Sequence, residues 1–235
     1  MKTLLRSSGN SSLAADALRD LIIVVVGILA ALWLESWWQD RQDRAEELVI
    51  LKGLRTEFVM NRAQLVDKMS AWNESAVATE HAHRLMGGPI TEELTTEARE
   101  VFVIVDRMQF YDPTQGQLTS VMSSGKLGLV RNADLRARIA DWPALVADLD
   151  IERSLAFYEI TEGLRSVLNR HTSTWADSQF EFRAEALLAD RDVDNHLGDW
   201  HQNLLRMTNE AELILAATDE IIELIDAELP HQSKE

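Results

Sequence analysis

The 235-residue chain contains no cysteine. Disulfides, thiolate metal sites, cysteine nucleophiles and lipidated cysteine anchors are therefore excluded. Proline and glycine are scarce, at 4 and 10 residues, which argues against a turn-rich all-β fold. Neither alternating strand patterns, hairpin signals nor a solenoid-length repeat are present. Basic residues are in deficit, 23 against 39 acidic ones, for a net charge of −16. Phosphate contacts need a basic surface, so nucleic acid is not an expected partner. What is present is 46 % hydrophobic and 26 % charged residues, the balance of a folded chain. The length suffices for one sizeable domain or two small ones with a packed core.

The charge is uneven. Residues 1–38 hold Lys2, Arg6 and Arg19 against Asp16, Asp20 and Glu35, so the whole excess of acid lies in residues 39–235. Within the neutral segment, Leu21 to Leu34 reads LIIVVVGILAALWL, without one charged or hydroxyl side chain. Extended to Trp38, this run is about 27 Å long as a helix, close to the hydrocarbon thickness of a bilayer. Trp33, Trp37 and Trp38 cluster at one end, where indoles favour the headgroup region. Arg19 can snorkel at the other end, and Glu35 lies near enough to the tryptophans to reach the interface. No small-x-small cleavage site precedes a polar start, so an uncleaved anchor is expected rather than a signal peptide. Gly27-x-x-x-Ala31 has the small-x-x-x-small spacing that allows close helix contact. Arg41, Arg44, Lys52 and Arg55 nearly balance the cations of the N-terminal flank. The expected orientation keeps the short tail in the cytoplasm and places the acidic domain in a periplasm.

No proline interrupts Met1 to Gly88, and helix formers predict one long helix from about Ser12 to Met86. Leu51, Phe58, Leu65 and Trp72 recur every seven residues, a stripe that needs either the rest of the domain or another copy as partner. Asn61 and Lys68 interrupt the heptads, which favours a bundle over a regular coiled coil. Gly87-Gly88-Pro89 stops the helix. A second helix is expected from a Thr91 cap, with Leu94, Ala98, Val101, Phe102, Val105 and Met108 on one face. Phe110 to Pro113 should break it. A short helix is expected over Gln117–Met122, ended by Ser123-Ser124-Gly125. Asn132 caps the next helix, Pro143 kinks or restarts it, and it runs to about Asn169. A loop over His171–Ser178 and a last helix over Asp194–Leu229 complete the chain.

Catalytic and metal motifs are weak. Ser124-Gly125-Lys126 lacks the remaining residues of a phosphate loop, since Ser120 and Leu127 stand at the required positions. Ser123 and Lys126 have Ser-x-x-Lys spacing without its companion motifs. His81, His83, His171, His196, His201 and His231 offer no i, i+4 pair for a helical zinc site. Glu46-Glu47, Glu92-Glu93 and Asp219-Glu220 read as solvated surface, and Trp72, Trp142, Trp175 and Trp200 as core.

Two stretches resemble a bacterial family of single-pass membrane proteins built on a domain of unknown function. The first is Asp20 to Leu32 with Trp37 and Arg41, similar to that family's acidic residue, β-branched run, Gly-Ile-Leu and Trp before charged residues. The second, Ser123 to Arg136, is similar to its Ser-Ser-Gly, apolar stretch and Asn-x-x-Leu helix start. This chain departs at Ala30 and at Glu35 to Trp38. The resemblance implies a membrane anchor and no particular reaction. On its own residues the second stretch predicts a clasp: Gly125 takes positive φ at a turn with Ser124, Leu127, Leu129 and Val130 enter the core, and Asn132 caps.

The expectation is thus an all-α protein with a tail over 1–20, a transmembrane helix over 21–38 and an acidic helical bundle over 39–235. Its membrane-interface residues are Arg19, Trp33, Glu35, Trp37 and Trp38; Gly27 and Ala31 are the helix–helix contact; Ser124, Gly125 and Asn132 form the structural turn. A scaffold or interaction protein without enzymatic activity, cofactor or metal is expected at a bacterial inner membrane. Its partners are the bilayer and a second copy or another membrane protein. The alternative is a single-pass sensor binding a small ligand among Trp72, Trp142 and Trp200.

Overall fold

The computed structural model describes residues 10–105, 107–173, 178–180 and 182–230, with side chains at Arg19 and from Leu21 onward. Trp175 and His231 lie outside the described residues. Among the described residues there is no strand, and the protein is all-α. The elements are α1 (Asn10–Leu85), α2 (Glu92–Val105), α3 (Gly116–Ser123), a 3₁₀ turn (Lys126–Leu129), α4 (Ala133–Tyr158), a π-helical segment (Glu159–Leu164), α5 (Arg165–Leu168), α6 (Ala184–Leu188) and α7 (Arg191–Glu228).

Two units divide the chain, residues 1–50 and 51–235. In the first, α1 carries the apolar run, and every side chain from Leu21 to Trp38 is exposed. Leu21 is 59 % and Trp33 70 % accessible, far from the burial of a soluble core helix. Among the described residues this is the one helix long and apolar enough to cross a membrane. Glu47 departs from the expected solvated acidic pair. It is fully buried, and the Arg44 guanidinium 2.6 Å away supplies the counter-charge that burial of a carboxylate requires.

The second unit is built on three long helices, α1 from Leu51, α4 with its continuation, and α7. α7 runs antiparallel to both others. Down α1, Arg55 pairs with Asp226, Arg62 with Asp219 and His83 with Asp194. Along α4, Arg138 meets Glu220 and Arg206 meets Glu152. Each of these elements presents an apolar row inward. Leu51, Leu54, Phe58, Leu65 and Trp72 of α1 are 2 % exposed or less, as are Ile139 and Trp142 of α4 and Trp200, Ile214 and Ile221 of α7. Phe58 and Trp142 meet edge to face with centroids 5.2 Å apart. The heptad stripe of α1 is therefore covered by the chain's own domain, not left for a second copy.

The polar interruptions in that stripe have a specific task. Residues 107–115 follow α2 without regular secondary structure, and α1 side chains hold them. Lys68 donates to Gln109 Oε1 at 3.0 Å, and the Trp72 indole N–H donates to the Gln109 carbonyl at 2.8 Å. Asn61 pairs with both backbone groups of Thr114, at 2.8 and 2.9 Å, as a strand partner would. Buried Glu57 then accepts the N–H groups of Gln117 and Leu118 at 2.7 and 2.9 Å, two of the first donors of α3. A carboxylate on α1 thus serves as the N-terminal cap and dipole partner of α3.

Several local signals behave as anticipated. Thr91 Oγ1 accepts the Leu94 N–H at 3.1 Å, and Asn132 Oδ1 that of Leu135 at 3.1 Å. Gly87, after α1, has φ +72°. Three expectations need correction. α2 ends at Val105, leaving Met108 beyond it, because the carbonyls of Val105 and Gln109 are drawn to Trp200, Ser75 and Trp72 across the core. Pro143 does not restart the helix, since α4 is continuous from Ala133 to Tyr158 with the proline inside it. The lost hydrogen bond is outweighed there by Ile139, Trp142 and Val146, packed on either side of it. In the clasp, Val130 is fully buried, whereas Leu127 and Leu129 are only half-buried on the 3₁₀ turn.

Gly125 has φ +72° as the residue leading into that turn. A Cβ there meets no atom within 4 Å, so the constraint is conformational alone. Gly125→Ala is expected to lower stability by about 1 kcal/mol, the cost of left-handed backbone for a residue with Cβ. Thermal unfolding followed by circular dichroism checks this, and an unchanged midpoint would mean that the turn does not depend on glycine.

Candidate functional site

The residues singled out in the sequence fall into separate places. In the first unit, Arg19, Trp33, Glu35, Trp37 and Trp38 are all exposed, as are Gly27 and Ala31. The Arg41 guanidinium lies 5.8 Å over the Trp37 ring, a cation–π contact at the polar end of the apolar run. Gly27 stands in open space, and a methyl added at its Cα would meet nothing within 4 Å.

Ser123, Ser124 and Lys126 sit on the exposed turn after α3. Ser124 Oγ donates to the Ser120 carbonyl at 2.7 Å, and Ser123 Oγ to the same carbonyl at 3.3 Å. Both hydroxyls thus close the last turn of a helix. Asn132 also donates to Glu228 Oε1 at 3.2 Å, tying the clasp to the end of α7. Arg136 donates to the Val130 and Arg131 carbonyls at 2.5 and 3.1 Å, completing a structural turn.

Trp72, Trp142 and Trp200 are 2 % exposed or less, and each indole N–H has a partner in the chain. Trp142 donates to Thr218 Oγ1 at 3.0 Å and Trp200 to the Val105 carbonyl at 3.1 Å. These rings fill the core, as a structural role requires, and they line neither of two surface concavities. One concavity is bounded by Phe110, Arg153, Ser154 and Phe157, the other by Ile90, Thr95 and residues 182–186 with Ala189.

A different cluster emerges where the C-terminal end of α1 meets the start of α7. Every described histidine faces a carboxylate from another stretch of chain. His81 lies 2.7 Å from Glu97, His83 2.6 Å from Asp194, His171 2.8 Å from Asp190, and His201 3.6 Å from Glu80. His196 Nδ1 lies 2.7 Å from Glu159 Oε1. Asp190 does two jobs, since its other oxygen accepts the Asp192 N–H at 2.9 Å and caps α7. The imidazoles lie at the surface or half-buried, as their sequence surroundings predict. Their partners, 16 to 121 residues away, carry no local signature.

The His171 imidazole holds the Asp190 carboxyl below its ordinary range, with the Asp192 N–H adding to it against partial burial. Arg55 does the same for Asp226 by a hydrogen bond and by its charge. Both carboxyls have folded-state values below the unfolded ones. Their contribution is present above the ordinary carboxylate range and is lost as pH falls through the folded value. Melting between pH 7 and pH 3 should therefore show falling stability at the acid end. Asp190→Asn, which keeps a capping oxygen, should make that fall shallower; an equally steep fall contradicts the assignment.

Among the described residues one group brings three potential metal ligands together: Glu159, His196 and Asp199. One ligand atom from each lies within 4.8 Å of the others. His196 and Asp199 are three residues apart on one face of α7, and Glu159 opens the π-helical segment opposite. No protein-family model matches the chain, and comparison with curated proteins and with solved structures finds no match.

Proposed function

We propose that the protein is a non-enzymatic scaffold or interaction module anchored by a single span in a bacterial inner membrane, with its acidic helical domain in the periplasm. The observation that carries this reading is the run Leu21–Leu34, apolar throughout and wholly exposed on a helix long enough to cross a bilayer. Exposing so much aliphatic surface to water is untenable for a soluble protein, whereas lipid solvates it. The resemblance to a family of single-pass membrane proteins points the same way and is likewise a proposal. Because the heptad stripe of α1 is occupied within the domain, self-association is assigned instead to the small-residue face of Gly27 and Ala31. Lipid gives helices no hydrophobic drive to associate, so contact there depends on close backbone approach, which these two residues permit.

Cross-linking in native membranes tests this. The chain has no cysteine, so each introduced one is unique. Ala31→Cys should give oxidative dimers, and Leu29→Cys, on the opposite side of the helix from Gly27, should give few. Dimers of equal yield at both positions, or none at Ala31→Cys, overturn the assignment of this face.

A further inference from the structure

The Glu159–His196–Asp199 group converges beside a buried glycine. Gly163 is buried one turn beyond Glu159, and a Cβ there would overlap Glu159 Oε1 and stand 2.8 Å from His196 Nδ1. The backbone at Gly163 is not in the left-handed region, so its conformation would admit any residue. Without a Cβ at this position, the Glu159 carboxylate and the His196 imidazole converge over the helix backbone with neither side chain having to shift. The same stretch, Glu159–Leu164, is the one π-helical segment among the described residues. Such wide turns are less stable than α-helix and recur at functional sites. Here the wide turn begins at the residue that contributes the carboxylate.

We propose that Glu159, His196 and Asp199 form a binding site for a first-row divalent metal ion of the zinc or manganese type. The donor set is one imidazole nitrogen and two carboxylates, which suits borderline cations better than calcium, whose sites are built from oxygen alone. Three protein ligands leave further coordination positions to solvent or to a partner's side chain. Access is open, because the His196 side chain is 31 % and the Glu159 side chain 16 % exposed, and Asp199 is exposed on α7. On binding, the cation takes the place of the proton that His196 Nδ1 and Glu159 Oε1 share across 2.7 Å. It would clip the π-helical segment to α7 and add stability to the folded domain as occupancy rises.

The experiment is calorimetric titration of the full-length, chelator-stripped protein in detergent with Zn²⁺, followed by Co²⁺ for its visible spectrum. One saturable equivalent is expected. His196→Ala should weaken binding about 10–100-fold, the range typical of damaged metal sites. His196→Ala also removes the hydrogen bond to Glu159, so Asp199→Asn serves as the second variant: it lies on the exposed face and should weaken binding comparably and alter the Co²⁺ bands. His83→Ala, at a histidine–carboxylate pair without a third ligand, should leave the affinity unchanged. Absence of saturable binding, or wild-type affinity in both His196→Ala and Asp199→Asn, overturns the proposal. An affinity lowered as much by His83→Ala as by Asp199→Asn overturns it equally, since binding would then be diffuse.

Discussion

Val25→Arg combined with Leu29→Arg is expected to remove the protein from alkali-washed membranes. Ten Leu, Ile and Val residues lie between Leu21 and Leu34. On the insertion scale each favours the bilayer by about 0.3–0.6 kcal/mol, whereas an arginine at the helix centre costs about 2.5–3.5 kcal/mol. Two arginines near the centre therefore outweigh the eight aliphatic residues that remain. The result to measure is the fraction resistant to carbonate extraction, which should fall from nearly all to little. The exchange of Val25 for Leu should change nothing. Retention of the double arginine variant would mean that residues outside the apolar run hold the protein to the membrane.

Trp142→Ala is expected to cost the domain about 3–5 kcal/mol, the range for removing a large aromatic side chain from a packed core. Trp142 is fully buried, meets Phe58 edge to face and donates its N–H to Thr218. It stands where α1, α4 and α7 converge, so no single helix can move in to close the cavity. Since a domain is typically stable by only about 5–15 kcal/mol, the variant should unfold at markedly lower denaturant concentration. Thr218→Val tests the polar part alone and should cost about 1 kcal/mol, because it leaves a buried donor unpaired. A Trp142→Ala midpoint equal to that of the parent would mean that this ring is not central to the bundle.

The parts of the fold legible in the sequence are those specified by neighbours along the chain. Gly87 and Gly125 mark positive φ at turns, Thr91 and Asn132 present a capping oxygen three residues before the N–H they accept, and the stripe from Leu51 to Trp72 sets which face of α1 turns inward. What stays hidden depends on the register between helices. Glu57 caps α3 from 60 residues away, and Asn61 clasps Thr114 across 53. In sequence, both look like polar residues on a solvated helix face or flaws in a heptad. The same holds for the candidate metal site. His196-x-x-Asp199 is an ordinary spacing on a polar helix face, and Glu159 joins it only because α7 runs antiparallel to α4 and passes the start of the π-helical segment. Gly163 gives no hint, since its value lies in the two side chains that approach it. Tyr111 is another such case: burial pushes its hydroxyl pKa upward, and the hydroxyl has no hydrogen-bond partner among the described residues, neither of which its neighbours in sequence foretell.

The proposed function rests on a division between a helix solvated by lipid and an acidic domain solvated by water. It is tested most directly by single-cysteine accessibility in native membranes, with a thiol reagent that does not cross lipid. Cysteines replacing Ile22, Val26 and Leu29 should stay unlabelled until detergent is added. One replacing exposed Ser166 should be labelled from the periplasmic side without it. Equal labelling of all four positions before detergent would contradict a membrane span at Leu21–Leu34.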